Sequence, residues 1–164
     1  MAAISTSLER LSYGGPDGNI ATGAHRQVID GVGATRTLLA DESNALCLFD
    51  RAAGVVYTLP APVAGMQFEF STTVAVTSNA AKVITNSASV FIVGSVTAGS
   101  LTVADSGDVF QANGTTHRAI SMAGSTTGGL VGGAIRLTAI SSTQWVISGD
   151  IVGSGTLADP FATS

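Results

Sequence analysis

The chain has 164 residues, of which 45% are hydrophobic and only 11% are charged, and its formal net charge is −4. This length allows one domain with a sizeable core, and abundant apolar residues with few charges argue against intrinsic disorder. The seven basic residues are scattered, so no basic stripe is available for nucleic-acid phosphates. The sequence shows neither a signal peptide nor an apolar run long enough for a membrane span.

Residues 1–34 are predicted to form an extended N-terminal arm. The segment contains six glycines between positions 14 and 33 and shows neither helical nor strand periodicity, although 27–29 would allow one short strand. A polar segment of this length cannot bury a core of its own. The arm is therefore expected either to remain loose or to lie on a neighbouring molecule.

Strand signals begin at residue 35 and continue to residue 148, with Gly, Pro, Asn, Asp and Ser in the turns between them. Alternation is clean at 66–70, where Met66, Phe68 and Phe70 would face the core while Gln67 and Glu69 face solvent. The predicted strands are 35–40, 45–50, 55–59, 66–76, 82–86, 90–96, 100–104, 108–111, 116–122, 134–140 and 143–148. This spacing predicts an all-β, jelly-roll-like β-sandwich over 35–149, followed by a loose or partner-bound C-terminal tail at 150–164.

The residues that could carry chemistry are few and do not form a known motif. The histidines, His25 and His117, are far apart, and neither HExxH nor a Cys/His cluster is present. The single cysteine, Cys47, lies in the apolar run ALCLF and is predicted to be a buried core thiol. The single tryptophan, Trp145, is predicted to pack in the core of the sheet.

Two acidic turns contain the remaining candidates for a metal site. Asp105 and Asp108 flank Ser106-Gly107, and Asp41 and Glu42 occupy a similar turn earlier in the chain. Calcium requires six to eight oxygen ligands, so Asx-turn capping is the better interpretation of both turns. We predict no catalytic, cofactor-binding or metal-binding residue and no enzymatic activity. A carbohydrate-active enzyme with two paired carboxylates is the alternative that spacing leaves open.

Two segments resemble a pattern that recurs in virion proteins of tailed bacteriophages. The first is TLLADESNALCLFDRAAGVVYTLPAPVAGMQFEF, in which a Thr/Leu-rich strand and an Ala-Asp turn precede an apolar strand, TLPAP and an alternating aromatic strand. The second is AIRLTAISSTQWVISG, a strand, a polar turn and a Trp-bearing strand. The resemblance extends over residues 36–149.

This resemblance implies a phage capsid decoration (cement) protein that binds the outer surface of the assembled head and stabilises the shell. Its implied partners are the major capsid protein and further copies of itself in a homotrimer, without nucleic acid, membrane or cofactor. The implied location is the virion, after assembly in the cytoplasm of the host bacterium. The alternative is a head-fibre or tail-fibre tip whose loops at 87–89, 97–99 and 123–133 bind a host receptor.

Overall fold

The structure is a computed structural model that describes residues 25–31, 33–103 and 107–164. One 3-10 turn, Ala40–Glu42, is the only helical segment among these residues. The remaining elements are strands: β1 (Val28–Ile29), β2 (Thr35–Thr37), β3 (Leu46–Phe49), β4 (Val56–Thr58), β5 (Gln67–Thr72), β6 (Ala81–Ile84), β7 (Phe91–Ser100), β8 (Gly107–Asn113), β9 (Ala119–Met122), β10 (Ala134–Ala139), β11 (Gln144–Gly153) and β12 (Phe161–Ala162).

These strands form two sheets that enclose one core. The large sheet has seven strands in the order β1-β3-β5-β10-β11-β7-β8, and the small sheet has five in the order β12-β9-β6-β4-β2. Buried and less buried residues alternate along β3, β5, β6 and β11, because successive side chains of a strand point to opposite faces. The prediction of an all-β sandwich is confirmed.

The first half of the chain winds as a coil between the two sheets. Strands β1, β3 and β5 are neighbours in the large sheet, and β2, β4 and β6 are neighbours in the small sheet, all in parallel. Of the ten strand pairs formed by the described residues, five are parallel. A jelly roll consists of antiparallel Greek keys, so this winding differs from the jelly-roll-like connectivity that strand spacing predicts.

Aromatic side chains from both sheets fill the centre of the core. Tyr57 of the small sheet packs against Phe49 and Phe70 of the large sheet, with ring centroids 5.6 and 5.5 Å away. Phe68 and Trp145 form a second contact, with centroids 6.1 Å apart. Phe68 and Phe70 are fully buried as alternation predicts, and Met66 packs at the margin of the core.

One predicted strand is wrong, and its predicted neighbour is longer than expected. The structure has a single strand, β7, where strands at 90–96 and 100–104 were expected. Residues 101–103 form a bend after β7: the Leu101 amide still donates to the Gly153 carbonyl of β11 at 3.0 Å, and the Ser100 hydroxyl accepts a hydrogen bond from the Val103 amide at 3.3 Å. Leu101 is 71% exposed. Alternating apolar residues therefore do not by themselves show that a segment is a strand with a buried face.

The predicted arm and tail both contribute strands to the sandwich. Within the predicted arm, β1 pairs with β3, while residues 1–24 and residue 32 lie outside the described residues. The predicted boundary at residue 149 falls inside β11, which continues to Gly153, and β12 pairs with β9. The tail was predicted to be loose or partner-bound; within this chain it packs on the sandwich, because Leu157 and Phe161 supply apolar surface that the core buries.

Candidate interaction surface

The main charged cluster on the outer face of the large sheet is centred on Glu69. Strand alternation directs Glu69 of β5 away from the core, and the register places Arg136 of β10 directly opposite it. Glu69 Oε2 accepts a hydrogen bond from Arg26 at 2.9 Å and a longer one from Arg136 at 3.4 Å. The hydrogen bond from Arg26 is the largest of the effects that lower the pKa of the Glu69 carboxyl group below its ordinary value. Glu69 is therefore held as a paired carboxylate.

Two open grooves lie beside this charged cluster. The first, of about 240 Å³, is lined by Glu69, Arg136, Ser148 and Gly149 together with Ala134 and Ile135. The second, of about 260 Å³, is lined by His25, Arg26, Gln27, Asp41, Ser43, Asn44 and Ala45. The Arg26–Glu69 ion pair joins a residue that lines one groove to a residue that lines the other. The surface thus offers polar donors and acceptors in shallow depressions.

The two groups with the most strongly raised pKa values are both inside the core. Burial raises the pKa of the Cys47 thiol to about 12, and the nearby Glu42 carboxylate adds to the effect. Burial also raises the pKa of Tyr57, whose hydroxyl group donates a hydrogen bond to the Leu48 carbonyl at 2.8 Å. A buried thiol of this kind is unreactive. The prediction of a buried core thiol at Cys47 is confirmed.

The structure does not assemble the predicted acidic residues into a metal site. Glu42 is buried, accepts a hydrogen bond from the Leu39 amide at 2.8 Å and forms an ion pair with Arg36. Asp41 and Asp108 are exposed, and Asp105 lies outside the described residues. Among the described residues there is no group of three or more His, Cys, Asp or Glu side chains that could hold a metal ion.

The two histidines have different surroundings. His25 is exposed and lines the second groove, next to the start of β1. His117 follows β8, where its Nδ1 atom accepts a hydrogen bond from the Asn113 amide at 3.2 Å and its ring stacks on Phe161. The Asn113 side-chain oxygen also accepts hydrogen bonds from the amides of residues 115–117. His117 and Asn113 therefore order the connection between the two sheets.

Trp145 is fully buried, which confirms its predicted place in the core. Its indole Nε1 has no hydrogen-bond partner within the part of the chain that the structure describes. Because the chain has only one tryptophan, its fluorescence will report on the packing of the core. Trp145 is therefore an intrinsic probe of unfolding.

Exposed apolar side chains are prominent at one edge of the large sheet. Val109 on β8 is 63% exposed, and Leu101 and Val103 between β7 and β8 are 71% and 42% exposed. In the described part of the chain, β8 pairs on one side only, with β7. Sequence patterns could identify β8 as a strand but could not show that it lies at an edge.

The three loops that would serve a fibre tip are not equivalent. Residues 97–99 belong to β7, so they do not form a loop. Residues 87–89 form a turn that is largely exposed, whereas Gly128 and Gly129 within 123–133 are buried. The prediction that 97–99 form a loop is therefore wrong, because β7 continues through this segment.

No helix among residues 25–31, 33–103 and 107–164 is long and apolar enough to cross a membrane. Comparisons with protein-family models, with curated proteins and with solved structures gave no match.

Proposed function

We propose that this chain is a capsid decoration protein of a tailed bacteriophage. It binds the outer surface of the assembled head through the major capsid protein, self-associates as a homotrimer and stabilises the shell. The observation that carries the proposal is the position of β1, which is the edge strand of the large sheet next to β3. The described chain starts at exposed His25, at the rim of the sandwich, and 24 further residues precede it. They are the candidate shell-binding arm.

The anchoring of β1 explains how force on such an arm would be transmitted to the sandwich. The Leu46 amide donates a hydrogen bond to the Gln27 carbonyl at 2.8 Å, and Val28 and Ile29 pair with Leu46 and Cys47. Arg26 adds its ion pair with Glu69 on β5. These contacts attach the start of the described chain to β3 and β5 of the large sheet.

Stabilisation of the shell would follow from mass action. A protein that binds the assembled shell, but not its separated subunits, lowers the free energy of the assembled state. Several arms on one trimer raise the effective concentration of each remaining arm once the first has bound. With 11% charged residues, the contacts would be mainly apolar and backbone-mediated.

Deletion of residues 1–24 tests this proposal. We expect the shortened chain to fold, because β1 and its pairing with β3 are retained, and to lose cosedimentation with empty phage heads. The full chain is expected to sediment with the heads, and light scattering will report its native mass. Trp145 fluorescence during urea unfolding provides the control for folding. Undiminished head binding by a folded, shortened chain would contradict the role of the arm.

A fibre tip that binds a host-surface receptor is the second candidate. The observation that favours it is the 260 Å³ groove lined by polar side chains, including Arg26, Asp41 and Asn44. Such donors and acceptors suit the hydroxyl groups of a glycan. Binding of the purified chain to host cells, lost in Asp41→Ala but retained after deletion of residues 1–24, would support this function over head decoration.

A further inference from the structure

Strand β8 has the features of an interface strand rather than of a protected edge. It spans Gly107–Asn113, and its register with β7 is continuous and contains no bulge. Proteins usually protect an edge strand of this length with lysine, proline, a bulge or a covering segment. The sequence of β8, GDVFQAN, contains neither lysine nor proline, and six of its seven residues are not buried.

The hydrogen bonds at the end of β8 show which backbone groups face the open edge. The Gly114 amide points towards β7 and donates to the Ile92 carbonyl of that strand at 2.9 Å. The Asn113 amide points away from β7 and donates to the His117 side chain. Backbone groups of successive residues in a strand point in opposite directions. The amides and carbonyls of Gly107, Val109 and Gln111 therefore point away from β7. All three residues are exposed in the described structure.

We propose that β8 pairs with β8 of a second copy of this chain, antiparallel and around a twofold axis at Val109. In this register Val109 lies opposite Val109 of the second copy, and Gly107 lies opposite Gln111. The twofold axis repeats the second pair, so three residue pairs form between the chains. They use the open backbone groups of Gly107, Val109 and Gln111 and form about six hydrogen bonds. The two large sheets would become one continuous sheet across the axis.

The charge distribution of β8 suits a second copy in this register. Asp108 is the only charged residue of the strand, and the register places it opposite Phe110 rather than opposite the second Asp108. Like charges directly opposite each other would destabilise the pairing. Val109, which is 63% exposed in one chain, gains an apolar neighbour on the axis. The strand is thus complementary to itself in hydrogen bonding, charge and apolar surface.

This contact does not depend on the proposed binding to phage heads. A twofold contact joins chains in pairs, so a trimer that also used β8 would be recovered as a hexamer. Purified chain should therefore have an even number of subunits. A stable monomer or an isolated trimer at tens of micromolar would overturn the inference.

Disulfide trapping tests the register directly. Paired residues on antiparallel strands have Cα atoms about 4.5–5.5 Å apart, within the range that a disulfide can span. Because Cys47 is buried, Val109→Cys introduces the accessible thiol, and mild oxidation should give a covalent dimer. Val131→Cys is the matched control, since Val131 is 54% exposed but lies outside β8. Equal cross-linking of the two variants would overturn the inference.

Val109→Pro tests the hydrogen bonding independently. Proline removes the open-edge amide of Val109 without removing a donor to β7, whereas Val109→Thr keeps that amide and the β-branched shape. We expect Val109→Pro to weaken self-association at least about tenfold and Val109→Thr to retain it, as measured by light scattering over a dilution series. Unchanged association of Val109→Pro would contradict the pairing. Loss of head binding by Val109→Pro without a change in its native mass would also contradict the pairing. That result would mean that the β8 edge pairs with a strand of the capsid protein.

If Val109→Pro does not fold, as judged by Trp145 fluorescence, the comparison of Val109→Cys with Val131→Cys is the test of the twofold contact. Cross-linking specific to position 109 then supports the twofold contact, and its absence overturns it.

Discussion

Gly149 is a residue at which the packing of the large sheet leaves no room for a side chain. Its φ angle is +133°, and a Cβ atom added there would lie 2.3 Å from the Ala134 carbonyl oxygen and 2.8 Å from the Ile135 Cα atom. Both neighbours are backbone atoms of β10, which pairs with β11 at this point. Any larger residue must therefore separate two central strands.

A series of Gly→Ala substitutions separates this steric effect from the effect of a positive φ angle. Gly99 has neither an unusual φ angle nor a heavy atom within 4 Å of an added Cβ, so Gly99→Ala should change the free energy of unfolding by less than about 1 kcal/mol. Gly65 has a φ of +95° but open space, so Gly65→Ala should cost about 1–2 kcal/mol. Gly149→Ala should cost more than about 3 kcal/mol, because it combines both effects.

Urea unfolding followed by Trp145 fluorescence measures all three variants in the same assay. Equal stability losses for Gly65→Ala and Gly149→Ala would show that β10 moves freely and would contradict the steric argument.

Glu69 makes the stability of the protein sensitive to acid. The pKa of the Glu69 carboxyl group is lowered in the folded state from its ordinary value of 4.5. The ion pairs of Glu69 therefore stabilise the fold at pH values above 4.5, and this stabilisation is lost as the pH falls through the lowered pKa. Glu69→Gln lacks this contribution at every pH. We expect the stability difference between the wild type and Glu69→Gln to shrink between about pH 6 and pH 3. Urea unfolding at a series of pH values measures this difference.

The two arginines provide the controls for this pH prediction. Arg26 is the nearer partner, at 2.9 Å compared with 3.4 Å for Arg136. Arg26→Gln should therefore reduce the acid sensitivity more than Arg136→Gln does. The reverse order would contradict the assignment of Arg26 as the main partner.

At the scale of elements, β12 is the strand that sequence reading missed. It has two residues, too few for any periodicity, and follows a segment rich in Gly, Ser and Thr. Phe161 is only 8% exposed and stacks on His117, while the backbone of β12 pairs with β9. An isolated aromatic residue after a polar segment gives little sign in sequence that a sheet is available to receive it.

Phe161→Ala tests whether this short strand stabilises the sandwich. Loss of a nearly buried phenylalanine should lower the free energy of unfolding by about 3 kcal/mol, since the apolar contacts vanish and a cavity remains. Thr163→Ala, at an exposed position two residues later, should change it by less than about 0.5 kcal/mol. Equal stability of the two variants in urea unfolding would mean that the end of the chain does not contribute to the core.

At the scale of the whole molecule, the same strands could have been connected in several ways. Strand spacing predicts a sandwich but does not distinguish an antiparallel hairpin from two parallel strands separated by a strand of the other sheet. In the structure, β3 and β5 are parallel neighbours, and the chain between them passes through β4 in the small sheet. Both arrangements bury the same alternating residues, so hydrophobic pattern alone cannot choose between them.

In the candidate interaction surface, too, local pattern predicts the direction of a side chain but not its partners. Alternation in MQFEF directs Glu69 to the outside, as the sequence predicts. Its partners are 43 and 67 residues away along the chain, so only the pairing of β5 with β10 and the position of β1 bring them together. The interface strand β8 could likewise be predicted as a strand, but its place at the edge follows from the order of the whole sheet.

Local patterns in the sequence were sufficient to predict the all-β class, the core positions of Cys47, Phe68, Phe70 and Trp145, and the outward face of Glu69. These features depend on the period of a strand and on burial of apolar side chains, which are local properties. The three-dimensional arrangement was needed to establish the parallel winding, the incorporation of β1 and β12, the ion pairs of Glu69 and the open edge of β8. Those features depend on hydrogen bonds and contacts between distant residues, whose partners a local pattern does not specify.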